Sequence, residues 1–596
     1  MMCTKIKQCG RPAAIVSVLA LAVIFLAGFV AYMRVLHPQV VFMDSLRFLM
    51  YFDNSEQGRA SLLSTWDQGE HHGLIAQTAV YLNAKLFGLS VFPAALLSGL
   101  VLAITGIVLG LHQYRTLKPE GTVSFLAFIG VAAITFLALF SLANWELYAL
   151  DVGSTLFIKN FIFILYWVGL ERALGSSGGS KALRWTILAS TPVIILVLAY
   201  GWAYAFVIAS IFCIFVADPK DEGAVRFRRA VAGVLVISIV LYIVSGNVVG
   251  GVPREIPKAG SSSLLNALVG FFFALSSAFM GSETITSLAL PSWVQYLAAF
   301  VLLGTASWTF VTGTFSSKKL PLLPLAMILY GGLHIAAVSY ARGRFDPANT
   351  MASRYSPDIT LIIIGVIWST FLVIKSTSMT GMKSKMLAVL ALVISLAFVV
   401  GHGLTASDEW MKAPYRHAIY KKMQDVTLFG VNTKEDAALL QQHIELARRG
   451  VEVQREYSLG PYRQIGCAEP AHGAGWFDDR DGSGWISGSA RAVLRNCGGT
   501  LVLNAYIPES WPAKNISVSV GDAAPTVVKV IPGVGTPVYV PVSTTSKFLD
   551  VKITVDKTTR PSLISKTSSD DRDLGLVITS MRSEDRPGAA SNCSVR

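Results

Sequence analysis

Long apolar runs fill the first two thirds of the chain and stop near residue 402, after which short segments alternate apolar and polar positions. A helix needs about 20 consecutive apolar residues to cross the hydrocarbon core of a bilayer. By that measure the runs at 13–33, 91–113, 122–141, 154–171, 185–200, 202–217, 229–246, 293–312, 321–340, 359–375 and 386–402 predict about eleven transmembrane helices. The stretches 73–89 and 264–280 predict shorter membrane-embedded or interfacial helices. Lys5, Lys7 and Arg11 precede the first run, which at 21 residues exceeds the apolar core of a secretion signal and reads as an uncleaved span.

Beyond 402 the pattern changes period. Residues 403–465 form a linker containing the helical stretch "EDAALLQQHIELARRG", where Ala438, Leu439, His443, Leu446 and Ala447 approximate one face. The segments "TLVLNAYI", "NISVSV", "TVVKVI", "TPVYVPV" and "KFLDVKITV" alternate with period two between Gly, Pro, Asn and Asp. They predict an antiparallel β-sandwich over 466–582. The end, 583–596, has the composition of a disordered tail. The fold class is a polytopic α-helical membrane domain over 1–402, with a large outer loop at 34–90, followed by a β-sandwich.

Composition agrees, with 53% apolar and 15% charged residues in 596, too apolar for a soluble protein of this size. The net charge of +13 does not argue for nucleic acid, because the basic residues sit in short clusters between apolar runs. Arg115 with Lys118, then Arg172, Lys181 and Arg184, then Lys220, Arg226, Arg228 and Arg229, then Lys318 and Lys319, then Lys375, Lys383 and Lys385 occupy alternate loops. The positive-inside rule makes those loops and the N-terminus cytoplasmic, and an odd number of spans delivers the tail to the outer side. Loops 34–90, 247–260 and 341–358 are then also outside. Of the six cysteines none has metal-ligand spacing, and only Cys467 and Cys497 invite a disulfide, in an oxidising compartment. No internal repeat is visible.

The outer segments carry the candidate chemistry. "YARGRFDPANTMASRYSPD" places Arg342, Arg344, Arg354 and Tyr355 against the positive-inside trend. A planar guanidinium matches phosphate oxygens and keeps its charge when partly desolvated, so such a cluster suits a phosphate at headgroup level; snorkelling arginines are the plainer alternative. Asp44 in "VVFMDSLRF" suits either a general base or a helix N-cap, and the two roles are compatible. "WDQGEHHG" gathers Trp66, Asp67, Glu70, His71 and His72, which favours polar recognition of sugar or phosphate over a metal, since consecutive histidines point to different sides of a helix. "NWELYALDVGS" supplies Trp145, Glu146, Tyr148 and Asp151, with an aromatic interface belt as its default reading, and Arg254 and Lys258 stand in a Pro/Gly-rich loop where they can close over an anion or simply be solvated.

An apolar first span, a long outer loop with an aspartate soon after it, a W-x-x-x-E-H element at Trp66–His71, a late "GR" to "SRY" segment and a β-domain at the end together resemble bacterial GT-C-fold glycosyltransferases. The resemblance covers the whole chain in architecture, while its motifs are short. It implies a multi-pass protein of the bacterial inner membrane with a periplasmic tail. Such an enzyme moves a sugar from a polyprenyl-phosphate donor to a cell-envelope glycan or glycolipid, with inversion and with neither nucleotide nor cofactor. Asp44 corresponds to the catalytic acid residue of the first loop. Glu70 and His71 match the E-H element, and Arg342, Arg344 and Ser353 to Tyr355 match the segment near the donor phosphate. His72 stands where many relatives have arginine, and no paired acidic residues follow the first span, which leaves the metal requirement open. The tail segments "GWFDDRDGSGWISGSARAVLR" and "SSDDRDLGLVITS" are similar to jelly-roll-like domains of glycan-assembly transferases, with Trp476, Asp478, Asp479 or Trp485 as sugar contacts or as packing residues. An O-antigen-type polymerase or ligase fits the same outward arginines, and a lipid-linked sugar transporter is the alternative from another class.

Overall fold

The computed structural model describes residues 2–59, 74–175, 180–198, 200–217, 222–249, 263–315, 320–376, 382–477, 484–565 and 567–585. The chain divides into two compact units, one of Met1–Pro38, Asn54–Asn83 and Val91–His417, the other of Gln39–Asp53, Ala84–Ser90 and Ala418–Arg596. The predicted loop 34–90 is therefore shared between them. The last helix of the first unit does not end near 402, because Met382–Phe429 is continuous over 48 residues and the boundary falls after His417.

Among the described residues of the first unit, ten helices are long and apolar enough to cross a membrane, the architecture of a polytopic membrane protein. Ten of the eleven predicted runs correspond to them. The eleventh, 202–217, forms the shorter apolar helix Tyr200–Val216. The backbone separates it from the preceding run: Pro192 lies in the Lys181–Val193 helix, a π-helical turn follows at Ile194–Leu198, and Tyr200 takes φ +39°. The predicted shorter elements are the helices Ile75–Phe87 and Ser263–Ser276.

The Leu322–Val338 and Ser356–Ser376 helices pack against each other with small residues at the seam. A Cβ at Gly331 would stand 2.8 Å from the Asp358 carbonyl, and one at Gly365 would stand 2.7 Å from the Pro324 carbonyl. In lipid, where apolar surface is no worse solvated outside the bundle than inside it, such close backbone approach is a main source of helix association.

The second unit is built around an antiparallel β-sandwich. Strands β1 (Ala471–His472), β2 (Ser489–Arg495), β3 (Thr500–Tyr506), β4 (Lys514–Val520), β5 (Thr526–Val530), β6 (Thr536–Pro541), β7 (Phe548–Val555) and β8 (Val577–Glu584) form two sheets, ordered β1-β2-β7-β4-β5 and β6-β3-β8. Alternate residues point inward, so Leu501, Leu503 and Ala505 of β3 meet Ile516, Val518, Val551 and Ile553 of the facing sheet in one core. The end assigned to disorder begins too early in the sequence reading: β8 runs through Glu584, which pairs with Thr500, because Met581 and Ser583 continue the buried alternation. The predicted single helix near 435–450 is two, Lys434–Leu439 and Ile444–Glu456. Thr433 and Asp436 close a capping box on the first, and Gln441 takes φ +53° between them.

Cys467 and Cys497 are bonded, with Cα atoms 5.8 Å apart. Mass mapping without reductant should recover their two peptides linked, and replacing either cysteine by serine should lower tail stability by about 2–4 kcal/mol, since the bond closes a loop of some 30 residues. Lys514, 1% exposed, donates to the carbonyls of Leu574 (3.2 Å) and Gly575 (2.5 Å) and lies 4.7 Å from the Trp511 ring. Burial, opposed in part by Asp556, pushes its ammonium down from 10.5 to about 8. Between those values the unfolded chain holds a proton that the folded one has released, so stability rises with pH across that window. The denaturant midpoint of the tail should climb from pH 8 to 10.5 and lose that slope in Lys514→Met.

Candidate functional site

The stretch around Trp145 and Glu146 predicts an aromatic interface belt by default, whereas in the structure both side chains bond to other segments of the protein. After the Thr122–Leu139 helix the chain forms a short turn and the helix Trp145–Ala149, tied down by Tyr148, whose buried hydroxyl donates to the carbonyls of Leu139 (3.3 Å) and Ser141 (3.0 Å). Gly153 then starts the Gly153–Leu174 helix where a Cβ would stand 1.8 Å from the Leu147 carbonyl, so only glycine admits this reversal. Asp151, in the same turn, is 3% exposed.

Glu146, half-buried, accepts a 2.5 Å hydrogen bond from the Ser353 hydroxyl. Ser353, Arg354 and Tyr355 form a single 3-10 turn that leads straight into the Ser356–Ser376 helix, so this contact brings the acidic turn to the arginine segment. Trp145 donates from Nε1 to Glu283 (3.0 Å), and its ring lies 3.3 Å from the Arg416 guanidinium. Arg416 is held further by Glu283 (2.7 Å) and bidentately by Glu409 (2.8 Å), while Lys412 joins Asp408 at 2.7 Å.

The other arginines of the segment are differently placed. The Leu322–Val338 helix widens into a π-helical turn at Ser339–Gly343 that carries Arg342, exposed. Arg344 rests its guanidinium 5.4 Å from the Tyr340 ring and 4.7 Å from that of Phe345, and its buried Nε has no hydrogen-bond partner among the described residues. Thr350 anchors this stretch by donating 2.7 Å to the Gly270 carbonyl, where Gly270 and Gly343 leave room for it. A shallow groove of about 300 Å³ opens beside it, lined by Leu264, Ala267, Leu268, Phe271, Ser339 and Tyr340 among others. Arg354 is exposed, 5.7 Å from the Tyr355 ring, and makes no ion pair with a described residue. Three arginines therefore share one segment, and a fourth, Arg416, is locked by carboxylates beside it.

Directly behind this end lies a charged cluster. Lys159 and Asp358, 1% and 0% exposed, are joined at 2.7 and 3.0 Å. Tyr330 receives from Lys159 and donates to Asp358, both at 3.0 Å, and His334 Nε2 stands 3.3 Å from the second carboxylate oxygen. Trp202 covers the ammonium at 4.2 Å. Losing either charge would strand the other, at a cost of about 3–5 kcal/mol. Lys159 has a signal in the sequence, a lone cation inside the run 154–171, and an ionisable residue at that depth is a functional hypothesis by default. His402, which contacts Ser141 at 2.7 Å and the Ala278 carbonyl at 3.0 Å, has a similar one. Glu283 and Arg416 have none, because nothing in the sequence links positions so far apart.

Asp44 belongs to the second unit. It stands in the first turn of the Asp44–Glu56 helix with its side chain 62% exposed and Arg47 3.7 Å away. The enclosed carboxylate of that helix is instead Asp53, held by Arg449 at 2.6 Å and Tyr457 at 3.1 Å. The spacing Leu46, Leu49, Asp53 puts it on the buried stripe, which the sequence displays. Trp66, Asp67, Glu70, His71 and His72, with Arg254 and Lys258, lie outside the described residues, as do Asp478 and Asp479. In the tail, Trp485 packs on Trp511 at 5.2 Å, and Trp476 stacks on His472 at 3.8 Å. Among the described residues no group of three or more His, Cys, Asp or Glu is placed to hold a metal.

Gly153→Ala should lower the thermal midpoint of the purified protein by the equivalent of about 1–3 kcal/mol, because backbone must move to admit a methyl group. Gly130→Ala, with open space around it, should not.

No family model, curated protein or solved structure matches this chain.

Proposed function

We propose that the protein is a membrane glycosyltransferase that moves a sugar from a polyprenyl-phosphate donor to a cell-envelope glycan or lipid-linked acceptor at the periplasmic face of the bacterial inner membrane. The observation that carries this reading is the join between Glu146 and Ser353, which sets a carboxylate beside Arg354 at the end of an apolar bundle. Sugar transfer from a lipid phosphate needs a cation for the departing phosphate and a carboxylate for the proton of the attacking hydroxyl. Arg354, with Arg342 and Arg344, supplies the first. The groove beside Arg344 offers apolar surface to an isoprenoid chain. Glu146 is the carboxylate joined to the arginine segment itself, whereas Asp44 is the base that the resemblance alone implies. The disulfide in the tail agrees with a non-cytosolic compartment.

Two other readings differ in product. A polymerase or ligase transfers an oligosaccharide block rather than one sugar. A transporter of lipid-linked sugar makes no new glycosidic bond, and the Lys159–Asp358 pair at membrane depth is the observation in its favour.

The test is transfer by the full chain in nanodiscs supplied with a panel of polyprenyl-phosphate sugars and an envelope-glycan extract, with products sized by mass. Arg354→Ala should reduce turnover about a hundredfold, as loss of one transition-state donor does, while Arg115→Ala at the opposite end of its helix stays near wild type. Asp44→Asn and Glu146→Gln separate the two carboxylates, since only the base loses turnover with donor binding retained. Equal effects of Arg354→Ala and Arg115→Ala, or lipid movement without a new bond, would end the reading.

A further inference from the structure

The Lys159–Asp358 pair has no chemical part in the transfer described above, yet it is the most completely enclosed pair of opposite charges in the described membrane unit. We propose that it is a positioning device that sets the register of three helices so that Glu146 meets Ser353 and Arg354 stands where a lipid phosphate arrives. Its effect on turnover rests on the transfer reading; its effect on geometry does not.

Connectivity carries the inference. Asp358 lies in the first turn of the Ser356–Ser376 helix, three residues after Tyr355 and four after Arg354, with no loop between them. Lys159 lies in the second turn of the Gly153–Leu174 helix, which follows the Trp145–Ala149 helix after three residues. Each charge is thus tied rigidly to one side of the Glu146–Ser353 contact. Asn160, next to Lys159, adds a second grip by donating 3.3 Å to the Pro357 carbonyl. The third helix, Leu322–Val338, enters through Tyr330, whose hydroxyl donates to the Asp358 carboxylate, with His334 Nε2 standing 3.3 Å from it, and its continuation bears Arg342 and Arg344. His334 also faces Tyr355, ring centres 6.4 Å apart. All three segments of the arginine site therefore take their position from one carboxylate.

A charge pair suits this task better than apolar packing. Apolar helices in lipid can slide or rotate at modest cost, because every register buries similar surface. An ammonium bound to both oxygens of a carboxylate tolerates neither, and fixing register is the best-attested use of buried polar groups. Aromatic rings also face the ammonium, Trp202 at 4.2 Å, Tyr330 at 5.6 Å and Phe163 at 5.9 Å, and among the described residues Asp358 is the acid that pairs with it.

The experiment measures register directly. In the full chain in nanodiscs, with Cys3, Cys9, Cys213 and Cys593 replaced by serine, Glu146→Cys and Ser353→Cys are introduced together and their oxidative cross-linking rate is followed. The double variant Lys159→Met/Asp358→Leu removes both charges and leaves neither stranded. It should melt near the parent temperature but cross-link about tenfold more slowly, within the range expected for coupling through packed elements. With Glu146 and Ser353 restored, the same double variant should lose kcat about a hundredfold at nearly unchanged donor KM, the signature of a misplaced reacting group. A double variant that melts and cross-links like its parent overturns the proposal. If it does not fold, Asp358→Glu decides instead: it keeps the ion pair but lengthens it by one methylene, and an unchanged cross-linking rate overturns the proposal equally. Should the parent itself transfer no sugar, the function reading falls and the cross-linking rates still decide the role of the pair.

Discussion

Hydrocarbon offers no hydrogen bond, so a polar group enclosed in a membrane bundle is costly unless the protein itself supplies its partner. Lys159 and Asp358 answer that constraint with a pair whose partners come from three helices. The glycines at the seam serve the same end. Gly331 lets the backbone of Asp358 approach the Leu322–Val338 helix closely enough for Tyr330 and His334, on that same helix, to reach the carboxylate. Packing and charge therefore act on one another, since the close approach delivers the partners and the partners make it specific.

The end of the bundle shows what that order provides. Arg416 is neutralised by Glu283 and Glu409 and stacked on Trp145, which ties the Met382–Phe429 helix to the acidic turn. Arg354 makes no such pair with a described residue, although Glu146 holds Ser353, the residue just before it. Using Glu146 to hold Ser353 rather than Arg354 keeps a guanidinium available beside a fixed carboxylate. An anion arriving there would meet an exposed cation that no described acid already holds.

The second unit follows a different solvent logic. Its sandwich buries alternate residues of two sheets in one core, and its turns face water. Lys514 departs from that pattern, a lysine drawn against Trp511 and two carbonyls, where loss of hydration depresses its affinity for a proton. Arg455 binds Asp550 of β7 at 2.7 Å and so joins the Ile444–Glu456 helix to the sheet.

Length and period alone determined the broad design. Ten of eleven predicted spans and every strand named from alternation are present, because a bilayer fixes how long a helix must be and a pleat fixes which residues face inward. The arginine segment drew notice for a related reason, since the topology rule assigns it to the side where positive charge is expected to be sparse. What the sequence did not reveal depends on separation along the chain. The Glu146–Ser353 contact joins residues 207 positions apart, Lys159–Asp358 joins residues 199 apart, and Trp145–Glu283 joins residues 138 apart. Local pattern reports the neighbours of a residue within a turn or two, whereas these partnerships exist only once the helices have packed. Tertiary structure alone decided which carboxylate meets which hydroxyl and which arginine pairs with no acid among the described residues.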